Sequence, residues 1–236
     1  MDIHYATLET CSAATDTVVV IDVIRAFTTA AFAFAAGAQA IIPVNTIEDA
    51  MALRKRFPDA IVMGADKNRF PPMGFDFGNS PAALIGRNLH GRRIIQYTTN
   101  GTRGIVRSDG AETLLASSFV CARATAEYIK QLSPGKVTFV ITGAESEDKD
   151  CAEYIAGLLG DEMPDVANRL ERLRNMWQHR IRADVAEGGI TKEIGAGFES
   201  DLACCTSLNR FNFAMVVRRR DGLLVMEMVQ HYKKAG

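Results

Sequence analysis

Four apolar runs rich in β-branched residues recur along the chain, and each ends in a cluster of polar or small residues. The runs occupy positions 18–21, 60–63, 94–97 and 137–141, and the clusters occupy 22–25, 64–66, 98–103 and 142–148. An apolar run followed by a polar turn and a helical pattern is typical of a buried strand in an α/β protein. The pattern therefore predicts an α/β fold.

The rest of the chain continues the alternation of strands and helices. We predict strands at 18–23, 40–44, 60–64, 93–97, 113–116, 136–142, 213–219 and 223–228. We predict helices at 27–36, between 46 and 58, after 103, and at 121–132, 147–159 and 164–182, with short helical pieces over 191–208. Asp221-Gly222 separates the last two strands and is a strong hairpin signal, which predicts a C-terminal β-hairpin.

Length and composition narrow the classes of protein. The chain has 236 residues, enough for a sizeable core, and we expect a single compact unit over 1–236 with possible subdomains 1–117 and 118–236. A net charge of −1 argues against binding nucleic acid through bulk charge. The apolar run at 26–44 is interrupted by polar residues and predicts a buried helix and strand rather than a membrane span. Five cysteines without a CxxC pair fit free thiols in a reducing cytoplasm.

The polar clusters suggest where a ligand would bind. Ligands of open α/β sheets bind beyond the carboxyl ends of the strands. We therefore expect the four clusters to meet at one edge of one sheet. The carboxylates, arginines and small-residue turns that would meet there suggest an anionic ligand, with a divalent metal as a further possibility.

The turn after the run at 94–97 is a candidate phosphate cradle. The backbone and hydroxyls of Thr99, Gly101 and Thr102 could bind phosphate or sulfonate oxygens, and Arg103 could add a bidentate contact. Asn100 could orient the substrate or a metal-bound water. The alternative is an ordinary strand-to-helix turn capped by Thr102. The turn is not a Walker loop, because the GxxxxGK[ST] pattern is absent.

The loop at 74–81 offers hard oxygen donors. Asp76 and Asn79 suit Mg²⁺ or substrate hydroxyls, and two glycines allow a ligand to approach the backbone. Ser80 with Pro81 forms a good helix start and is also a candidate substrate contact. The alternative is a turn in which Asp76 and Asn79 bond to the local backbone.

Further carboxylates follow other strands. Asp22 and Arg25 end the first strand as candidate metal and phosphate ligands, or as a structural ion pair. Glu147 and Asp148 open a helix and could bind metal or act as a base, although complementing the helix dipole would equally explain them.

Taken together, these motifs resemble the 2-phosphosulfolactate phosphatase (ComB-like) family. The matching blocks are DVIRA at 22–26, GFDFGNSP at 74–81, TNGTR at 99–103, EDKDCA at 147–152 and the tail from 198 to 208. The resemblance implies a three-layer α/β/α fold of two similar halves with the site between them. It also implies a Mg²⁺-dependent phosphatase that converts 2-phosphosulfolactate to sulfolactate, a step toward coenzyme M.

The chain departs from the family pattern at Phe27, Asp66 and Glu145, which lie near the expected site. We interpret Asp22, Asp76 and Glu147 or Asp148 as metal ligands, with Asp66 as a further candidate. Direct attack by water is the default mechanism, and Asp22 is the only candidate covalent nucleophile. The alternatives are a phosphatase of the same fold for another small phosphorylated acid, and a non-catalytic protein that binds an anionic metabolite. A homodimer is expected for an enzyme of this size.

Overall fold

A computed structural model describes residues 1–143, 146–161 and 165–230, and these residues form nine strands and seven α-helices. The strands are β1 Asp2–Thr7, β2 Thr17–Ile21, β3 Ala40–Val44, β4 Ile61–Ala65, β5 Arg93–Thr98, β6 Thr113–Ser117, β7 Lys136–Ile141, β8 Phe213–Arg220 and β9 Leu223–Gln230. The helices are α1 Ala26–Ala35, α2 Ile47–Arg56, α3 Gly101–Arg107, α4 Ala122–Leu132, α5 Ser146–Leu159, α6 Ala167–Ala186 and α7 Lys192–Cys205. The predicted α/β class is confirmed.

The nine strands form one mixed, mostly parallel sheet in the order β1-β7-β2-β6-β8-β9-β3-β5-β4. One parallel block contains β1, β7, β2 and β6, and a second contains β3, β5 and β4. The β8–β9 hairpin joins them through antiparallel pairing at both of its edges, so the two blocks run in opposite directions. The predicted C-terminal hairpin is therefore confirmed, and it lies in the middle of the sheet.

This arrangement corrects the expectation that four strand ends simply share one edge of the sheet. In a flat sheet, the carboxyl ends of β2 and β5 would lie at opposite edges. Strands rotate by about 20–25° per step, and five steps separate β2 from β5, so the accumulated rotation is roughly 100–125°. That rotation turns the two blocks toward each other, which lets their strand ends approach across α1.

Side chains on the two faces of the sheet make separate cores and produce three layers. Successive residues of a strand point to opposite faces, so Val18 and Val20 pack on one face while Val19 and Ile21 pack on the other. The first face carries one cluster that spans both blocks and includes α1. The second face carries two clusters, one under α4 and α5 and one under α2. The predicted three-layer arrangement is confirmed.

Helix α1 is buried on nearly all sides. Nine of its ten residues are buried, and six of these nine are alanines or threonines, at 26, 28, 29, 30, 31 and 33. Small side chains let the helix approach the sheet closely while Phe27, Phe32 and Phe34 fill the space around it. Phe27, one of the departures from the family pattern, is therefore a core residue.

The structure changes several predicted boundaries. Strand β1 was not predicted, because Asp2–Thr7 is an edge strand with mostly exposed side chains and lacks the apolar run of a buried strand. The predicted short pieces over 191–208 form one helix, α7, which Thr191 caps. Helix α6 runs on to Ala186, beyond the predicted end at 182, while its predicted start at 164 lies outside the described residues.

Two further expectations concern the whole chain. Within the described residues, the helices are too short or too polar to traverse a lipid bilayer. The single unit over 1–236 and its division at 117 stay predictions, and β2 pairs with strands on both sides of that division.

Gly64→Ala should destabilise the protein strongly. The backbone of Gly64 has φ +151°, and an added Cβ would lie 1.8 Å from the carbonyl oxygen of Tyr97 on β5. We expect the free energy of unfolding to fall by at least about 2 kcal/mol in denaturant titrations. Gly110→Ala is the control, since a Cβ there would meet no described atom within 4 Å. Equal losses in both variants would contradict the prediction.

Candidate functional site

A cavity of about 130 Å³ lies where the two blocks converge. Its walls come from residues 22–25 after β2, 65–69 after β4, Asn79, and 98–100 at the end of β5. Helices α6 and α7 close it through Trp177, Ile181, Phe198, Asp201 and Leu202. Three of the four predicted clusters therefore border one cavity.

The ends of β2 and β5 meet through Asp22 and Gly101. Asp22 is 7% exposed, and its Oδ1 accepts a hydrogen bond from the Ala26 N–H at 2.9 Å. The Gly101 N–H also lies near this carboxylate and favours its charged form. A Cβ on residue 101 would lie 2.6 Å from Asp22 Oδ2 and 2.7 Å from Ala26 Cβ, so only glycine fits this contact.

The environment of Asp22 disfavours its charged form. Burial and the nearby carboxylate of Asp148 raise the pKa of Asp22 to about 7, although the Ala26 and Gly101 N–H groups partly oppose that rise. A buried carboxyl group with a raised pKa at the wall of a cavity is a marker of a functional site. A bound cation would offset the unfavourable burial of the carboxylate.

Asp148 accepts hydrogen bonds from the backbone next to Asp22 and from the segment after β7. Its Oδ1 accepts a bond from Val23 N at 2.8 Å, and its Oδ2 accepts bonds from Gly143 N at 2.8 Å and Thr142 Oγ1 at 3.1 Å. Burial raises the pKa of Asp148. Asp148 and Glu147 are both buried, and neither is among the described residues that line the cavity. Glu145 lies outside the described residues.

Arg25 is fixed in the cavity wall by Asp201 on α7. The Arg25 Nη1 donates to Asp201 Oδ2, and the Arg25 side chain is 10% exposed. The other oxygen of Asp201 accepts bonds from Ser80 Oγ at 2.6 Å and Ala82 N at 3.1 Å. Asp201 was not predicted as a site residue, and the only signal for it was the tail at 198–208 in the family resemblance. Ser80 donates to Asp201, and its predicted contact with substrate stays a prediction.

Asn79 and Asp66 add oxygen donors to the cavity. Asn79 is 8% exposed, and its Oδ1 has no hydrogen-bond partner among the described residues. An unsatisfied buried oxygen is costly, and a cation would satisfy it. Asp66 accepts bonds from Asn68 N at 2.8 Å and Asn68 Nδ2 at 3.3 Å. Asp22, Asn79 and Asp66 are hard oxygen donors that suit Mg²⁺, which retains several waters and needs few protein ligands.

That donor set is small. Among the described residues, histidine, cysteine, aspartate and glutamate side chains do not form a cluster of three that could hold a metal. A site with one or two carboxylates plus the amide oxygen of Asn79 would leave the other positions of an ion for waters and phosphate oxygens.

The predicted phosphate cradle divides into two parts. Thr99 and Asn100 line the cavity. Thr102 is buried and makes reciprocal bonds with Thr98, including Thr98 N to Thr102 Oγ1 at 2.9 Å and Thr102 N to Thr98 Oγ1 at 3.1 Å. Arg103 is exposed on α3 and, within the described part of the chain, does not line the cavity.

Asp76 lies away from the cavity and holds its loop against β4. Its Oδ2 accepts a bond from Val62 N at 2.8 Å, and its Oδ1 accepts one from Arg54 Nη2 at 2.9 Å. The geometry matches the local-turn alternative for Asp76. Its catalytic and metal-binding roles stay predictions, and Asp76 is not among the described residues that line the cavity.

The raised pKa of Asp22 predicts a pH-dependent stability. The native carboxyl binds its proton more tightly than the unfolded chain does, so the native state loses relative stability as the pH rises from about 4 to about 7. Each pKa unit corresponds to about 1.4 kcal/mol, so the difference in unfolding free energy between wild type and Asp22→Asn should change by up to about 4 kcal/mol.

Denaturant titrations in EDTA from pH 4 to pH 8 would measure this change. The informative quantity is how the difference in unfolding free energy between the two proteins changes with pH. The amide introduced at position 22 would lie near the Gly101 N–H at every pH, so its effect on stability does not depend on pH. Parallel stability profiles for the two proteins would contradict the prediction.

A double-mutant cycle would test the anchoring of the loop at Asp76. Asp76→Asn and Arg54→Gln should each lower the free energy of unfolding by about 1 kcal/mol, because each breaks the same half-exposed ion pair. The double variant should be little less stable than the worse single variant. Fully additive losses would show that the two side chains stabilise the protein independently.

Comparison with known proteins agrees with the resemblance seen in the sequence. The family model described as 2-phosphosulpholactate phosphatase matches residues 3–220. A protein of Bacillus subtilis (strain 168) is 32% identical over 215 residues, which cover 89% of this chain and 91% of that protein. One from Carboxydothermus hydrogenoformans is 36% identical over 219 residues, covering 89% and 90%. Both are named probable 2-phosphosulfolactate phosphatase, which is a phosphoric monoester hydrolase. The chain belongs to the 2-phosphosulfolactate phosphatase family.

Proposed function

We propose that this protein is a Mg²⁺-dependent phosphatase that hydrolyses 2-phosphosulfolactate to sulfolactate and phosphate. The observation that carries the proposal is the meeting of three groups on one cavity of this family's fold. These groups are the buried carboxyl of Asp22, the unpartnered amide oxygen of Asn79 and the guanidinium of Arg25. A carboxylate, an amide oxygen and a guanidinium are the groups that would bind a metal ion and a phosphate ester together.

Asp22 and Asn79 would hold Mg²⁺, with Asp66 as a further carboxylate at the same cavity. Bound there, the ion would polarise the phosphoryl oxygens and offset the charge that builds on them. Because the Ala26 N–H donates to Asp22 Oδ1 and Gly101 packs closely against Oδ2, the carboxylate keeps one orientation. Preorganised groups of this kind need little rearrangement during the reaction.

Arg25 would bind the phosphoryl oxygens and hold the ester in line for attack. Asp201 accepts a bond from the guanidinium and is itself held by Ser80, so the guanidinium is in position before the substrate binds. Thr99 and Asn100 line the same cavity, where their side chains would bond the ester or the attacking water. Water attacks phosphorus as the bond from phosphorus to the C2 oxygen breaks. The water loses a proton, and the released alcohol oxygen gains one.

Phosphate release from racemic 2-phosphosulfolactate would test the proposal. We expect turnover with Mg²⁺ that EDTA abolishes. Asp22→Asn should lower kcat at least about 100-fold, because it removes a ligand charge from the reacting centre. Asp109→Asn is the matched control, since Asp109 pairs with Arg219 on the surface away from the cavity.

Phosphate release from further esters, together with a measurement of their binding, separates the two alternatives. Turnover of p-nitrophenyl phosphate and other 2-phospho acids without turnover of 2-phosphosulfolactate would indicate a phosphatase for another acid. Binding of these esters without turnover would indicate a metabolite-binding protein. A role in making coenzyme M, a cytoplasmic location and a homodimer stay predictions.

A further inference from the structure

The indole of Trp177 on α6 has an unused donor in the cavity wall. Trp177 lines the cavity, and its buried Nε1 has no hydrogen-bond partner among the described residues. Buried indole N–H groups in proteins usually have a partner, and an unsatisfied one calls for a structural reason. A ligand acceptor at this position would supply one.

Arg69 brings a positive charge to the wall of the same cavity. Its guanidinium lies 5.3 Å from the centre of the Phe198 ring, and that of Arg25 lies 4.8 Å from it. Phe198 therefore lies beside both guanidinium groups at the cavity wall, where they can attract an anion. Because Arg25 would bind the phosphoryl oxygens, Arg69 is the cation of this pair that is left to bind a second group of the ligand.

The turn at 66–70 fixes where Arg69 lies. The Arg69 N–H donates to Asp66 O at 3.0 Å, and the Asp66 side chain accepts from Asn68 N. Arg69 adopts a left-handed φ of 71°, a conformation that is uncommon for a residue other than glycine. Asp66, where this chain departs from the family pattern, is therefore also the residue whose hydrogen bonds form the turn that carries Arg69.

Helix α6 places Trp177 and Arg69 on the same side of the cavity. Trp177, Ile181 and Asp184 are spaced by four and three residues, so they share one face of the helix. Asp184 Oδ2 accepts a bond from Arg69 Nη2 at 2.9 Å. The Arg69 side chain is 42% exposed in this pair, and exposed pairs are weak enough for a ligand to compete with Asp184.

We propose that Trp177 Nε1 and the Arg69 guanidinium form a subsite for a second oxyanion of the substrate, on the carbon chain away from the phosphate. The identity of the ligand rests on the proposed function, in which this oxyanion is the sulfonate. A terminal carboxylate shares the same chemistry. The subsite selects substrates that carry an acidic group on C3 in addition to the phosphate and the C1 carboxylate, and it acts through binding and orientation.

Intrinsic fluorescence can report on this subsite directly, because Trp177 is the only tryptophan in the chain. The protein would be titrated in Mg²⁺ buffer with sulfolactate, malate and lactate, which carry a sulfonate, a carboxylate and a hydrogen atom on C3. We expect a saturable emission change with sulfolactate and malate, and at least tenfold weaker binding of lactate. Titration calorimetry would measure the same dissociation constants independently.

Three variants locate the effect. Arg69→Gln should raise the Kd for sulfolactate at least tenfold and leave the Kd for lactate within twofold. Trp177→Phe keeps an apolar ring but removes the N–H, and it should raise the Kd for sulfolactate at least fivefold by calorimetry. Arg180→Gln is the matched control with an unchanged Kd, because the Arg180 guanidinium lies 5.2 Å from the Trp177 ring centre but, in the described structure, does not line the cavity.

Equal shifts in Arg69→Gln and Arg180→Gln, or lactate binding as tight as sulfolactate binding, would overturn the subsite. The absence of binding to the wild type by both methods would overturn it as well. Sulfolactate binding with the expected variant effects, but without hydrolysis of 2-phosphosulfolactate, would leave the subsite standing and reject the proposed phosphatase.

Discussion

The contact between Asp22 and Gly101 is the constraint on which the rest of the structure depends. It joins the carboxyl end of β2 to that of β5, two strands from blocks that run in opposite directions. The buried carboxyl accepts a bond from the Ala26 N–H and packs against Gly101, and its pKa rises because burial and Asp148 both disfavour its charge. Asp22, which contacts both blocks, is thus also a group whose charged form a bound cation would stabilise.

The sheet and α1 make that contact possible. The β8–β9 hairpin reverses the direction of the second block, and β9 meets β3 through the single registered pair of Met226 with Ile41. Twist over several strands then turns the two blocks to face each other. The alanine-rich α1 fits between them, and the buried Gln96 of β5 donates to the carbonyl oxygen of Ala26 at 2.9 Å. A bulkier helix would hold the strand ends apart.

Polar residues around the cavity fall into two kinds. Residues of the first kind form hydrogen bonds with the backbone or with other side chains and hold loops in place; they are Asp148, Asp201 and Thr102. Asn79 and Trp177 line the cavity and each carries a buried polar atom without a hydrogen-bond partner among the described residues, while Arg69 lines it with an exposed ion pair. The first kind gives the cavity its shape, and the second kind contains the groups that we propose bind a ligand. Chemically similar residues therefore serve different purposes, as Asp22 and Asp148 do.

The sequence by itself determined the local elements and the family. Apolar runs predicted eight of the nine strands in the described residues, Asp221-Gly222 predicted the hairpin, and the GFDFGNSP and TNGTR blocks identified the family. Tertiary structure decided which polar residues reach the cavity. It turned Asp76 toward Arg54 and brought in Asp201, Trp177 and Arg69 from distant segments. The physical reason is that periodicity reports only which side of an element is buried, whereas strand direction and side-chain partners depend on pairings between residues far apart in the chain.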